Sequence, residues 1–251
     1  MRIPIGLELY SVRHDMARDA YGTLKAVAEM GYQGVEFAGG YAQSGAVLRA
    51  MLDDVGLVCC GWHTGYHAVQ DDTLEATIAL NKTVGNRRVI VPGFPSAPGT
   101  RDQWRAMADF FTALAEKLAP YDMVTGYHNH TTEFQPLDGE NPWDTFFGNT
   151  GRRVVMQLDT GNAMHGKVDP VALLRQYPGR AGSVHLKPYS PGAPDPFKAP
   201  IGEDKSDWQG IFDACEAVGG TDWYVVEYES DAYPPLEAVK KCLEGLKAMG
   251  R

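Results

Sequence analysis

Cysteine is scarce in this chain. There are four in 251 residues, Cys59, Cys60, Cys215 and Cys242. None forms a C-x-x-C pair, and adjacent cysteines rarely bond each other. They read as small buried apolar side chains of a reduced protein, so the expected location is the cytoplasm. Long apolar runs are missing too. The longest, near Leu57 to Trp62, is far short of the roughly 20 residues that span a bilayer. Glu8 and Arg13 break up the first apolar patch, so no signal-peptide core fits. Positive charge is in deficit, with 23 Lys and Arg against 32 Asp and Glu and a net charge of −9. Nucleic acid and anionic membranes demand a positive field, so neither is an expected partner. No G-x-G-x-x-G follows any strand candidate and there is no P-loop, which weakens a nucleotide-binding, doubly wound sheet.

What is present is a repeat: a short apolar strand, a polar turn, an amphipathic helix, then glycine. Strand candidates are Ile3–Leu9, Gly34–Phe37, Leu57–His63, Arg88–Pro92, Met123–His130, Val154–Asp159, Ser183–Lys187 and Trp223–Glu229. Several are near-continuous apolar runs, as expected of parallel strands buried on both faces. Thr100 and Gln103 form a capping box, Asp169-Pro170 opens another helix, and Gly31, Gly56, Gly85 and Gly219 are expected left-handed C-caps. Eight such units over about 250 residues predict one (β/α)8 barrel spanning 1–251, with a doubly wound sheet as the alternative. No linker or second domain is visible. One connection, Pro188 to Ser206, is long and holds five prolines. It is expected to form a stiff lid or rim at the barrel mouth, with Glu203 reaching the substrate.

In a barrel the active site lies at the C-terminal ends of the strands. The candidates there are Glu8, Tyr10, Glu36, His63, His128, Asn129, His130, Glu133, Asp159, His185, Lys187, Glu227 and Glu229. Imidazole and carboxylate suit a divalent first-row ion, and the absence of thiolates rules out a structural cysteine-type zinc site. One ligand from each of strands five to eight would converge over the axis; from His128 the gaps are 31, 26 and 42 residues. Alternation leaves both His128 and His130 in play on strand five. Glu227, in an apolar run, needs a cation partner. His63 reads equally well as a hydrogen-bonded core histidine.

Five segments carry a resemblance. Gly-Leu-Glu-Leu-Tyr-Ser-Val-Arg (6–13), Tyr-His-Asn-His-Thr-Thr-Glu-Phe (127–134), Leu-Asp-Thr-Gly-Asn (158–162), His-Leu-Lys (185–187) and Val-Val-Glu (225–227) resemble the sugar phosphate isomerase/epimerase family of xylose-isomerase-like TIM barrels. The resemblance implies one divalent metal, manganese favoured over Co, Zn, Fe or Mg, held by His128, Asp159, His185 and Glu227. His128 stands where many relatives carry glutamate. It further implies a small carbohydrate substrate and proton abstraction beside a metal-polarised carbonyl. Glu227 and Glu133 are the acid–base candidates, with His130 next. Lys187 is set beside the oxyanion, and Glu36, His63 and Asn162 on substrate hydroxyls. Isomerisation or epimerisation of a keto sugar or related polyol through a metal-stabilised enediolate is the leading expectation. Dehydration of a keto sugar or inosose follows, since it needs no opposed glutamate pair. A DNA-repair endonuclease or a non-catalytic barrel ranks lower. Few cations lie near the strand ends, which favours an unphosphorylated substrate. A homo-oligomer is compatible with the sequence.

Overall fold

The computed structural model describes residues 2–251. Eight strands close into a barrel in sequential order, every neighbouring pair parallel. They are β1 (Ile5–Glu8), β2 (Gly34–Ala38), β3 (Val58–His63), β4 (Arg88–Val91), β5 (Val124–His128), β6 (Val155–Asp159), β7 (Ser183–Leu186) and β8 (Trp223–Val226). All eight expected strands form, mostly shorter than their apolar runs because the chain leaves the ladder once it passes the barrel rim.

Ten α-helices surround the sheet among the described residues: α1 (Arg13–Arg18), α2 (Ala20–Met30), α3 (Gly45–Val55), α4 (Leu74–Val84), α5 (Arg101–Leu118), α6 (Pro142–Asn149), α7 (Thr160–His165), α8 (Pro170–Gln176), α9 (Trp208–Ala214) and α10 (Pro235–Ala248). The Thr100–Gln103 capping box and the Asp169-Pro170 start are both present. Gly31, Gly56 and Gly85 end their helices at φ 104°, 75° and 77°, values costly for any residue with a Cβ. The fourth cap differs from expectation. After α9 the chain runs into a π turn, Cys215–Gly219, which inserts one extra residue, so Gly220 takes the left-handed position at φ 68°.

Strand alternation sorts side chains between the two cores. On β5, Tyr127 faces the helices, its ring 5.0 Å from Phe94 and 5.3 Å from Phe146. Its neighbour His128 turns into the barrel. On β6, Met156 and Leu158 join the outer core while Gln157 and Asp159 point inward. Between β2 and β3 the register shifts at Val35/Glu36, and a Cβ on Gly61 would collide with the Glu36 carboxylate. A glycine is therefore required where that side chain crosses the barrel interior. All four cysteines are free and buried. No helix among the described residues is long and apolar enough to cross a membrane.

Candidate metal centre

The C-terminal ends of β5 to β8 bring His128, Asp159, His185 and Glu227 together, all buried. One ligand atom from each lies within 4.8 Å of the others. The ladder sets their heights: Asp159 is level with His185, and Glu227 follows the end of β8. His185 Nδ1 is 2.6 Å from Glu227 Oε2. His128 Nε2 is 3.9 Å from Asp159 Oδ2 and 4.0 Å from Glu227 Oε2. Lys187 Nζ sits beside this group, 3.0 Å from Glu227 Oε1 and 3.7 Å from Asp159 Oδ2, and it also pairs with Glu229.

Asp159 is held on every side. Its backbone N–H donates to Asn129 Oδ1 at 2.8 Å, and Asn129 Nδ2 donates back to the Asp159 carbonyl. The carboxylate caps α7, accepting from the Asn162 N–H at 2.7 Å and from Asn162 Nδ2 at 2.9 Å. A side chain fixed this tightly loses little entropy when it takes up a ligand.

The electrostatics reflect close packing of unlike charges away from bulk solvent. Burial drives the Asp159 carboxyl up to about 7, with Lys187 pulling the other way. Burial drives His128 well below its ordinary value, so its imidazole is neutral, and the neighbouring His185 and His63 add to the effect. For His185 burial also opposes charge, but Glu36 and Glu227 outweigh it and raise the ring well above its usual range. Glu227 is pulled the opposite way: burial resists, and Lys187 with His185 holds the carboxyl well below the usual carboxylate range. Two imidazoles and two carboxylates with their lone pairs converging are a donor set that fits one divalent first-row ion, and no sulfur ligand competes. The buried carboxylates are at present balanced by Lys187 and a charged His185, and a cation would replace the latter's proton.

A second group of buried donors, Glu8, Glu36, His63 and His185, lies on the β1–β3 side. Here His63 supplies the positive charge. Its Nε2 is 2.8 Å from Glu36 Oε1 and its Nδ1 3.4 Å from Glu8 Oε1. Burial opposes charging of His63, yet Glu8 and Glu36 raise it to about 9. Burial pushes Glu8 up to about 8, although His63 works against the rise. In this half the histidine is bound to both carboxylates, whereas in the β5–β8 half the neutral His128 keeps a lone pair beside Asp159 and Glu227.

The mouth opens into a cavity of about 500 Å³ lined by Glu8, Tyr10, His63, His128, His130, Glu227 and Glu229, among others. Between the two strand-five histidines, His128 enters the cluster and His130 stands exposed above it. The other expected site residues are engaged in hydrogen bonds within the barrel. Glu36 is fully buried inside the barrel, where it accepts from Gln157 and His63. The His63 ring lines the cavity, but both nitrogens are taken by Glu8, Glu36 and Gln157, which is the core-histidine reading. Asn162 spends its carboxamide on Asp159 and the Asn129 carbonyl. Glu133, expected to do acid–base work, is buried and accepts from the Tyr127 hydroxyl at 2.8 Å and the His130 N–H at 2.7 Å, pinning the turn after β5.

The Pro188–Ser206 segment divides in two. Its Asp195–Lys198 part reaches the rim: the Phe197 ring is 5.3 Å from Lys187 Nζ, and the Lys198 carbonyl accepts from the Tyr228 hydroxyl at 2.6 Å. Glu203 is exposed in a turn whose neighbour Gly202 packs on Gly245 of α10, so it does not join the rim contacts.

Gln157 and Asn129 are the functional-looking residues that sequence reasoning gave no role. Gln157 could have been found from alternation alone, two residues before Asp159 on the same strand.

A sequential eight-stranded parallel barrel with a His/Asp/His/Glu centre at its mouth defines a class. Residues 24–249 match the family model of the xylose isomerase-like TIM barrel, and the chain belongs to that family. It is 26% identical over 262 residues to the rhizopine catabolism protein MocC of Rhizobium meliloti, covering 90% of this chain and 80% of that protein. It is 24% identical over 247 residues to the inosose dehydratase of Klebsiella pneumoniae (strain 342), covering 82% of each. Among solved structures, a sugar phosphate isomerase/epimerase from Parabacteroides distasonis superposes with a TM-score of 0.83 at 22% identity over 98% of both chains.

Proposed function

We propose that this protein is a divalent-metal-dependent enzyme that removes a proton next to the carbonyl of a small polyhydroxy ketone, and that its outcome is loss of water. The observation that carries the reading is the convergence of His128, Asp159, His185 and Glu227 at the floor of an open mouth. A divalent ion held by these four residues supplies Lewis acidity toward a carbonyl and its neighbouring hydroxyl.

The remaining roles fall to the chain's own side chains. Glu227 is committed to His185 and Lys187, and Glu133 to the turn after β5, so neither is free to shuttle a proton. His130 lines the cavity with its ring exposed, and it takes the proton from the α-carbon. Burial opposes charge on Lys187, but Glu227, Asp159 and Glu229 outweigh it and keep it cationic, and from behind the cavity wall its positive charge favours negative charge developing on the substrate oxygens. The hydroxyl on the β-carbon then departs with the abstracted proton as water. The enol left behind ketonises to a dicarbonyl. One base on one face suffices for this sequence. The Klebsiella relative is named for dehydration of an inosose, a cyclic polyol ketone, which supports the same outcome.

Epimerisation is the second reading, favoured by one observation. Glu8, held protonated up to about 8 by burial, lines the same cavity from β1 and could return a proton from another direction. Incubating manganese-loaded enzyme with a panel of inososes and keto sugars separates the two by mass. Dehydration predicts a product lighter by one water. An isomer of unchanged mass would transfer the assignment to epimerisation, and no turnover of any panel member would overturn both.

A further inference from the structure

The geometry points to Gln157 as a positioning residue that locks His128 into the one tautomer able to serve the metal centre. An imidazole, unlike a carboxylate, presents its lone pair from only one nitrogen when neutral, and the partner of the other nitrogen decides which. This inference rests on the metal reading above and assigns a residue that reading leaves unexplained.

The orientation of the Gln157 amide follows from its neighbours. One end lies 3.1 and 3.0 Å from the two oxygens of Glu36 and 3.0 Å from Ser183 Oγ. A carboxylate cannot donate, so that end is the NH2 group. The other end is therefore the carbonyl oxygen. It lies 2.6 Å from His63 Nε2 and 3.1 Å from His128 Nδ1. An amide oxygen only accepts, so both of those nitrogens carry hydrogen. His128 is thereby the Nδ1–H tautomer, and its lone pair sits on Nε2. That is the atom 3.9 Å from Asp159 Oδ2 and 4.0 Å from Glu227 Oε2. Glu36 sets the amide, the amide sets His128, and His128 faces the centre. Gln157 itself is fully buried and touches no cavity, so it acts only through its neighbours.

Long-range nitrogen–proton NMR of the histidine rings in metal-free protein reads the tautomer directly, and zinc titration reads affinity. Wild type is expected to show His128 as Nδ1–H. Gln157→Met fills similar space without an acceptor, and should release the tautomer and weaken zinc binding about 10- to 100-fold. Gln157→Glu keeps an acceptor toward His128 and should keep the tautomer. An Nε2–H ring in wild type would overturn the proposal even if neither variant folds. So would equal losses of affinity in the two variants with the tautomer unchanged, which would mean packing alone. Wild type that shows the Nδ1–H form yet binds no zinc would support the tautomer rule and overturn the metal reading instead.

Discussion

The two ends of the barrel hold cavities of similar size and opposite character. At the N-terminal end a space of about 550 Å³ is lined by Arg87, Arg88, Asp122, Arg153, Asp222 and the edge of Trp223, among others. At the mouth the space is about 500 Å³. The lower end is the richer in arginine, yet its charges are spent in pairs: Arg87 with Asp122, whose side chains are mostly exposed, and Arg88 with Asp222. Water screens the Arg87 pair, which costs little to form or to lose. At the mouth, Asp159, His185 and Glu36 are wholly removed from solvent, and their protonation is shifted by burial and by one another. Volume therefore does not distinguish a functional end from a structural one. Buried unlike charges, held where hydrophobic packing would be more stable, do.

The comparison breaks most sharply at Glu227. Glu227→Gln keeps the shape but removes the charge that balances Lys187 and His185, and kcat/KM is expected to fall by at least about 1,000-fold. Lys187→Met should lower kcat about 100- to 1,000-fold while elemental analysis still finds one metal per chain, because Lys187 is not among the donors.

pH sharpens the same contrast. A metal ion must displace the proton that Glu36 and Glu227 hold on His185, and below about pH 7 also the proton that burial leaves on Asp159. Affinity should therefore rise with pH, about tenfold per unit above pH 7 and more steeply, toward a hundredfold per unit, below it. Manganese titrations between pH 6 and 8.5 would detect the change of slope; a flat profile would contradict the assignment of these two ligands. Smaller effects mark the periphery. Arg87→Ala, at the lower end, should leave kinetics within about twofold and stability within about 0.5 kcal/mol.

The barrel was legible because each unit changes its apolar period from strand to helix and closes on glycine, a pattern that local sequence carries in full. That His128, Asp159, His185 and Glu227 come together was legible for the same reason, because they are inward positions at or just past the ends of four successive strands. The other half of the mouth was not. Whether Glu36 and His63 face a substrate or each other depends on the register shift at Val35/Glu36 and on the gap left by Gly61, which no residue pattern announces. The hydrogen bonds of Glu133 and Asn162 were not legible either: each lies close in sequence to the group it braces, and a residue pattern does not separate a brace from a residue that meets substrate. Glu203 depended on the path of an irregular loop, and the cap at Gly220 on a single π turn.

The most direct test of the account is a calorimetric manganese titration of the chelator-stripped protein, with Asp159→Ala run beside wild type. The account predicts one equivalent bound by wild type and none by the variant, whose fold is preserved by circular dichroism. Wild type that takes up no manganese, or a variant that binds it undiminished, would contradict the central claim that the mouth of this barrel is built around a metal ion.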